Sequence, residues 1–467
     1  MSMRGRTVAW PGAAVAMPLR PKSLSVSSLN MAMQRLIPLS GGESEMKTIT
    51  NPSNRRPSID ALTTLRGVAA LLVVVHHMGL LMLQPLRQTI AAMPLEKCGL
   101  LGMSVFFVLS GFVIHYNYAD RLASDRERGV MMFLFARLAR LYPLYLPLIL
   151  ANYVVNVGRA AYAGRQLAAS AYSASLPAYL AGMQSWFYAT LNGFNLSISQ
   201  EYANNSWSIS AEIFLYLFFI PLALYGGFKR HSALRGVLIA VGAILGRILF
   251  VKFSELNSVR TALENVLGVV PSLDVGSWLV YYSPYGRLFE FLAGVGIAEI
   301  WLAGGNAPES AGRRLLVRVI GVIGCAYIAG SFADHVLFEY PKLFGGDRIY
   351  SGYAIAVPAA IYLCCSSQRY LGKLASWWPL LGIGEISYSL YMLHGNLFPL
   401  FLVKPHDSLA ALAPEMIAKS IAFLAILFAA SWLTYRYWEM PARKKIVGFY
   451  RKSISPPHID KCDIVQR

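Results

Sequence analysis

Charged residues are scarce in this chain, and acidic ones scarcer still. Asp, Glu, Lys and Arg make up 14% of the 467 residues, with 24 acidic against 42 basic side chains. So small a charged fraction argues against a soluble globular domain, whereas 56% hydrophobic residues and a mean hydropathy of +0.47 suit a polytopic membrane protein. The five cysteines, Cys98, Cys325, Cys364, Cys365 and Cys462, are odd in number, scattered and mostly within apolar runs, which indicates neither a disulfide framework nor a CxxC metal site. No metal is expected. A net charge of +18 would fit nucleic acid, but membrane proteins collect Lys and Arg in their cytoplasmic loops, so no nucleic-acid partner is expected. The duplicated halves common in secondary transporters are not visible. Val8 to Leu19 is apolar but interrupted by Pro11 and Pro18 and lacks a clean cleavage site, so it is not read as a signal peptide.

What the chain does have is long apolar runs. The sequence predicts an all-α, polytopic membrane protein of about ten transmembrane helices with both termini cytoplasmic. The spans are Ile59 to Gln84, Cys98 to Tyr118, Met131 to Val155, Trp207 to Tyr225, Val237 to Phe253, Tyr285 to Leu302, Leu315 to Phe332, Ser351 to Ser366, Pro379 to Val403 and Met416 to Tyr437. Residues 1–58 read as a disordered cytoplasmic leader, 59–445 as one membrane domain and 446–467 as a cytoplasmic tail. This topology keeps the basic clusters at Arg121 to Arg140, Lys229 to Arg235, Arg313 to Arg318, Arg369 to Lys373 and Arg436 to Lys452 inside. Counting the weaker stretch Leu176 to Leu196 as a span would move the later clusters outside, so it is read as interfacial or re-entrant.

The first span, IDALTTLRGVAALLVVVHHMGLLMLQ, carries Arg66 near one end and His76 and His77 deep inside. Eleven residues at 100° each bring His77 to within about 20° of Arg66 around the helix, and about 16 Å along it. His76 points about 80° away. A neutral imidazole at that depth needs a partner and cannot snorkel to the interface. Other polar residues recur at membrane depth: Trp207, Ser208, Ser210 and Glu212 in WSISAE, Arg287 and Glu290 in RLFEF, and Ser387, Tyr388, Tyr391 and His394 in SYSLYMLH. Together they suggest a polar tunnel. Each also has a plainer reading. Arg287 with Glu290 fits a structural ion pair, His394 a hydrogen-bonded core histidine, Arg66 a snorkelling side chain, and Arg137 and Arg140 markers of a cytoplasmic end.

As a set, these residues resemble the acyltransferase family 3 membrane proteins, which acylate surface polysaccharides and some small molecules. LTTLRGVAALLVVVHH resembles the family's first-helix pattern of an Arg and a His eleven residues on, here Arg66 and His77. FFVLSGF, RLARLYP, WSISAE, RLFEFLAG and SYSLYMLH match later family patterns in order. Two departures stand out: Thr63 and Thr64 replace a Gly-containing helix entry, and His76 adds a second imidazole. No hydrolase-like domain follows the spans, so transfer is expected to be completed by the membrane domain or a separate partner.

The resemblance implies an integral-membrane O-acyltransferase in a bacterial inner membrane. Its donor would be cytoplasmic acyl-CoA, usually acetyl-CoA, and its acceptor a hydroxyl of an extracytoplasmic glycan or exopolysaccharide. Arg137 and Arg140 are expected to hold the coenzyme A phosphates, and Arg66 a phosphate or the pantetheine region. His77 would act as general base or nucleophile, with His394 as a further catalytic candidate and Glu212 or Glu290 orienting an imidazole. Ser110 is an oxyanion donor or a packing residue, and Trp207, Ser208, Arg287, Glu290 and Tyr391 are substrate-binding or structural. A small-molecule or lipo-oligosaccharide acceptor, and secondary transport, remain alternatives.

Overall fold

The computed structural model describes residues 56, 59–189, 197–200, 202, 205–269, 273–304, 311–333, 349–366 and 376–454. Residues 1–55 of the expected leader, the cluster Arg369 to Lys373 and the last thirteen residues lie outside them. The described residues are helical, with an isolated bridge between Leu83 and Val403 and no named strand.

The helices are α1 (Asp60–His77), α2 (Ala92–Ser124), α3 (Arg126–Tyr162), α4 (Gln166–Leu180), α5 (Trp207–Tyr225), α6 (Ala233–Glu255), α7 (Asn257–Leu267), α8 (Pro284–Gly304), α9 (Ala311–Ala333), α10 (Ile349–Ser366), α11 (Trp378–Glu385), α12 (Ser387–Leu397), α13 (Leu409–Thr434) and α14 (Met440–Ile454). A one-turn helix (Val275–Ser277) and a π turn (Trp278–Tyr282) lead into α8. Asp125, Ser232 and Ser408 cap the starts of α3, α6 and α13 through their side chains, which satisfies amides that have no partner inside the helix.

Among the described residues, seven helical stretches are long and apolar enough to cross a membrane. They cover seven of the ten expected spans. The other three expected spans fall on α8, on α10 and on the pair α11 and α12. α8 carries Arg287, Glu290 and Glu299, all buried, within 21 residues. α10 runs through the whole of the expected span Ser351 to Ser366 as one helix, Ile349–Ser366, with Pro358 inside it. The expected span Pro379 to Val403 is broken at Ile386 into α11 and α12 and then ends in a 3₁₀ turn. Ser387 relieves that break by donating its hydroxyl to the Gly384 carbonyl at 2.7 Å. Leu176 to Leu196 is no continuous helix, since α4 stops at Leu180 and Gly182 turns the chain with φ +68°.

Glycine sets the closest helix crossings. A Cβ on Gly111 of α2 would stand 1.9 Å from the Phe291 carbonyl oxygen of α8, and one on Gly294 of α8 would stand 2.0 Å from that of Val108. The two backbones are in contact, as small residues permit between membrane helices. Gly384 of α11 meets the Thr63 carbonyl of α1 in the same way, at 2.2 Å. A backbone clip ties the chain five to seven residues past α1 to the chain six residues past α12: Val403 N–H donates to Met82 O at 2.8 Å and Gln84 N–H to Val403 O at 3.2 Å. With Gly102 of α2, whose Cβ would stand 2.8 Å from the Ala69 carbonyl oxygen of α1, these contacts set α1, α2, α8 and the α11–α12 segment against one another and so fix which side chains meet between them.

Candidate active site

One pocket opens among α1, α2, α3, α5 and α12, with about 690 Å³ of empty space, part of it open solvent at the mouth. That volume is in the range of small-molecule sites. Its polar lining comes from Arg66, Ser110, Arg137, Arg140, Ser208, Glu212, Ser387, Tyr388 and Tyr391, and its apolar wall from residues such as Met103, Phe106, Phe107 and Ile209. Seven of the twelve site residues expected from sequence are thus brought together.

The arginines are fixed by rings and oxygens. Arg137, 7% exposed, donates Nη2–H to the Tyr118 hydroxyl at 2.9 Å, and its guanidinium lies 5.0 Å from the Tyr118 ring and 5.7 Å from that of Tyr216. Its Nε and Nη1 are buried without a hydrogen-bond partner. Donors left open on a buried cation at a pocket wall suit an oxygen-rich anion. Glu212 is the lining's single carboxylate, and it accepts from Ser110 Oγ at 3.2 Å and from the Tyr216 hydroxyl. Ser110 thus lines the pocket and is bonded to Glu212. Ser208 Oγ and Tyr391 OH stand 2.6 Å apart, and both reach the Asn205 carbonyl oxygen at 3.0 Å.

One turn beyond Tyr391, His394 meets His77. The Tyr391 and His394 rings are 5.5 Å apart, and His394 Nε2 lies 3.3 Å from His77 Nδ1. The same His77 nitrogen is 3.0 Å from the Val73 carbonyl oxygen. A carbonyl only accepts, so Nδ1 of His77 carries the proton, His394 Nε2 is a second acceptor, and Nε2 of a neutral His77 keeps its lone pair. His76 faces α2 instead: its Nδ1 is 2.9 Å from Leu95 O, and its ring fills the space left by Gly99. The 80° separation on the helix thus sends the two histidines to different neighbours.

The expected carboxylate beside an imidazole is not found at Glu212 or Glu290. Glu212 bonds at the arginine end of the pocket, and Glu290 accepts from Ser104 Oγ at 2.6 Å and from Arg287 Nη1 at 2.8 Å. Helical periodicity gives each residue's face but not which helix that face meets. Arg287 and Glu290 sit behind the pocket wall, where Arg287 packs against Phe107 (5.1 Å), Trp207 (5.5 Å) and Tyr281 (4.2 Å). Trp207 belongs to this group and not to the pocket lining.

Sequence reasoning also missed Tyr118, Tyr216 and Asn205. Nothing in their local sequence separates them from packing aromatics or a loop amide. A second missed cluster joins His115, Asp120, His231 and Glu299. Glu299 Oε2 is 2.7 Å from His115 Nε2 and 2.7 Å from His231 Nδ1, while His231 Nε2 is 2.8 Å from Asp120 Oδ1. Two imidazoles and a carboxylate form a donor set that a cation could use. Here Arg235 already pairs with Glu299 and Arg56 with Asp120, so the cluster is an ion-pair network. Hydrogen bonds to Asp120 and then Glu299 push His231, in the loop between α5 and α6, up to about 9.

A helical bundle with membrane-length helices, an arginine-lined pocket and a histidine pair defines a class of membrane protein. The acyltransferase-domain family model matches residues 59–436, and the chain belongs to acyltransferase family 3. It is similar to the peptidoglycan O-acetyltransferase OatA of Listeria monocytogenes, 24% identical over 409 residues that cover 85% of this chain and 58% of that protein. It is also similar to the putative peptidoglycan O-acetyltransferase YrhL of Bacillus subtilis, 26% identical over 344 residues covering 72% and 48%. The O-acetyltransferase OatA of Staphylococcus aureus is 24% identical over 399 residues covering 83% and 57%. The chain spans about half the length of these curated relatives. No solved structure matches it significantly.

Proposed function

We propose that this protein is an integral-membrane O-acetyltransferase that takes an acetyl group from cytoplasmic acetyl-CoA and delivers it to a hydroxyl of an extracytoplasmic glycan, in a bacterial inner membrane. The observation that carries the reading is the pocket itself, lined by three arginines and by Tyr391, behind whose ring the His77 and His394 pair lies outside the lining, with the His394 ring 5.5 Å from that of Tyr391. Arg66, Arg137 and Arg140 pair with coenzyme A phosphates. About 16 Å of helix separates Arg66 from His77, a distance that a long flexible arm such as pantetheine bridges.

At that end His77 acts as general base through Nε2. It takes the proton of the acceptor hydroxyl as the oxygen bonds to the thioester carbonyl carbon. The carbon–sulfur bond then breaks, and the departing thiolate recovers the proton from the imidazolium. His394, with Val73 O, holds the tautomer this step requires. Glu212, Ser110 and Tyr216 fix the floor of the arginine end. The names of the relatives favour a glycan acceptor, peptidoglycan included.

The test is mass-resolved acyl analysis of surface polysaccharide and peptidoglycan from cells carrying wild type, His77→Ala or no copy, with membrane abundance matched. An O-acetyl signal lost in both mutants supports the reading. Wild type and deletion strains with identical glycans refute the glycan acceptor. No acetyl-CoA-dependent release of coenzyme A by the purified protein with acceptor present, and none above the His77→Ala variant, refutes the enzyme and favours transport.

A further inference from the structure

We propose that Arg443, on the helix that follows the last long apolar run, is a fourth guanidinium of the anion pocket and binds a phosphate of the donor. This inference rests on the acyl-CoA reading above and adds a residue to it.

Two contacts set the register of α14 against α3. Trp438 Nε1–H donates to the Pro143 carbonyl at 2.6 Å, and the rings of Tyr450 and Phe135 stack with centroids 4.6 Å apart. The two chains run in opposite senses between these points. Interpolating along them brings Arg443 level with Arg140, one turn from Arg137. Arg443 is half-buried, whereas its neighbours Lys444 and Lys445 are exposed. Its guanidinium is a Coulombic neighbour of those of Arg140, Arg137 and Arg66.

The segment leading to Arg443 is built to aim it. The π turn Tyr435–Glu439 interrupts the helix, a distortion that recurs at functional sites. It turns Glu439 inward, where the carboxylate is 4% exposed and accepts from Ser389 Oγ of α12 at 2.9 Å. Arg443, four residues on, shares that face and has Glu439 as a Coulombic partner. Four guanidinium groups, Arg66, Arg137, Arg140 and Arg443, thus couple with two carboxylates, Glu212 and Glu439. With Arg137 donors left open, the excess positive charge fits a multiply charged phosphate. That chemistry belongs to coenzyme A and also to anionic lipid headgroups, and the experiment separates them.

The full chain is placed in nanodiscs of phosphatidylcholine alone, or with phosphatidylglycerol added, and binding of coenzyme A and of phosphate-free pantetheine is measured calorimetrically. Arg443→Ala is expected to weaken coenzyme A ten- to a hundredfold in phosphatidylcholine, with pantetheine changed less than twofold. Arg443→Lys should recover part of the loss, and Lys445→Ala, which removes the same charge from the exposed face, should change neither ligand by more than twofold. Equal coenzyme A affinity in wild type and Arg443→Ala overturns the inference while leaving the donor reading intact. Loss with Lys445→Ala equal to that with Arg443→Ala overturns it in favour of general surface charge. If Arg443→Ala abolishes only competition by phosphatidylglycerol, the subsite belongs to lipid. If wild type binds no coenzyme A in either disc, the donor reading itself fails.

Discussion

Replacing His394 with Ala separates a histidine that holds another from one that reacts. The structure sets the size of the effect. His77 Nδ1 has two acceptors, Val73 O at 3.0 Å and His394 Nε2 at the longer 3.3 Å. Removing His394 leaves the backbone acceptor in place, so the reactive tautomer of His77 survives and one hydrogen bond is lost. Such a bond contributes about 0.5–1.5 kcal/mol net. If it acts wholly on the barrier, kcat falls roughly 2- to 13-fold. His77→Ala removes the base itself and should cost roughly 10²- to 10⁴-fold. The assay is coenzyme A release by the purified protein over a range of acetyl-CoA concentrations, with KM expected to change little in His394→Ala. A loss in His394→Ala as large as that in His77→Ala refutes the reasoning, because His394 would then carry a proton or acyl group itself. Unchanged kcat would show that the pair is not coupled in the reaction.

Arg137→Lys keeps the charge but loses the planar stack on Tyr118 and the Nη2 bond to its hydroxyl; KM for acetyl-CoA should rise about tenfold with kcat nearly constant, measured in the same assay. Gly294→Ala forces a Cβ to within 2.0 Å of the Val108 carbonyl oxygen and should destabilise by about 1–3 kcal/mol or more, seen as a lower thermal midpoint in detergent. Gly242→Ala, where a Cβ meets nothing within 4 Å, should be neutral or stabilise by up to about 1 kcal/mol. His231 is raised in the folded protein from 6.5 to about 9, so its stabilisation is complete below about pH 6.5 and lost as pH climbs through 9. Discounted for solvent, the loss is about 1–2 kcal/mol, and His231→Gln should flatten the fall in thermal midpoint between pH 7 and 10.

The residues most legible in the sequence were charges inside apolar runs. Arg66, Arg137, Arg140 and Glu212 stand out because hydrocarbon gives them no reason to be there, and the pocket collects all four. The His76 and His77 question was answerable in part, since the helix period already sent them to different faces. It did not reveal that the partner of His77 would be His394 from α12 and no carboxylate. Tyr118 and Tyr216 were invisible because a ring that supports a guanidinium is written with the same letters as one that fills a core. Arg443 was hidden in the run Ala442 to Lys445, which reads as ordinary cytoplasmic charge until the π turn gives it a direction. Among the spans, α8 looked apolar on average, and what its sequence did not tell is that Arg287, Glu290 and Glu299 are all buried against neighbouring helices. The break at Ile386 had only a faint signal, the two glycines Gly382 and Gly384 just before it.

That break divides labour along the chain. On the proposed reading, the arginines that grip the donor ride on α1, α3 and α14, helices that extend well beyond the pocket, whereas Tyr391 and His394 ride on an eleven-residue cartridge between Ile386 and Phe398. The cartridge is clasped on several sides: Ser387 bonds to Gly384 at its head, Tyr388 to the Leu141 carbonyl and Ser389 to Glu439 at its flanks, Asn205 and Ser208 hold Tyr391, Asn152 holds Asn396, His77 meets His394 and, past its tail, comes the Val403 clip. On that reading, exchanging this one short piece together with the residues that clasp it alters the acceptor end, while the arginines of α1, α3 and α14 keep their places. A chimera carrying residues 386–403 and the clasping residues of a relative with a different acceptor makes the smallest such exchange.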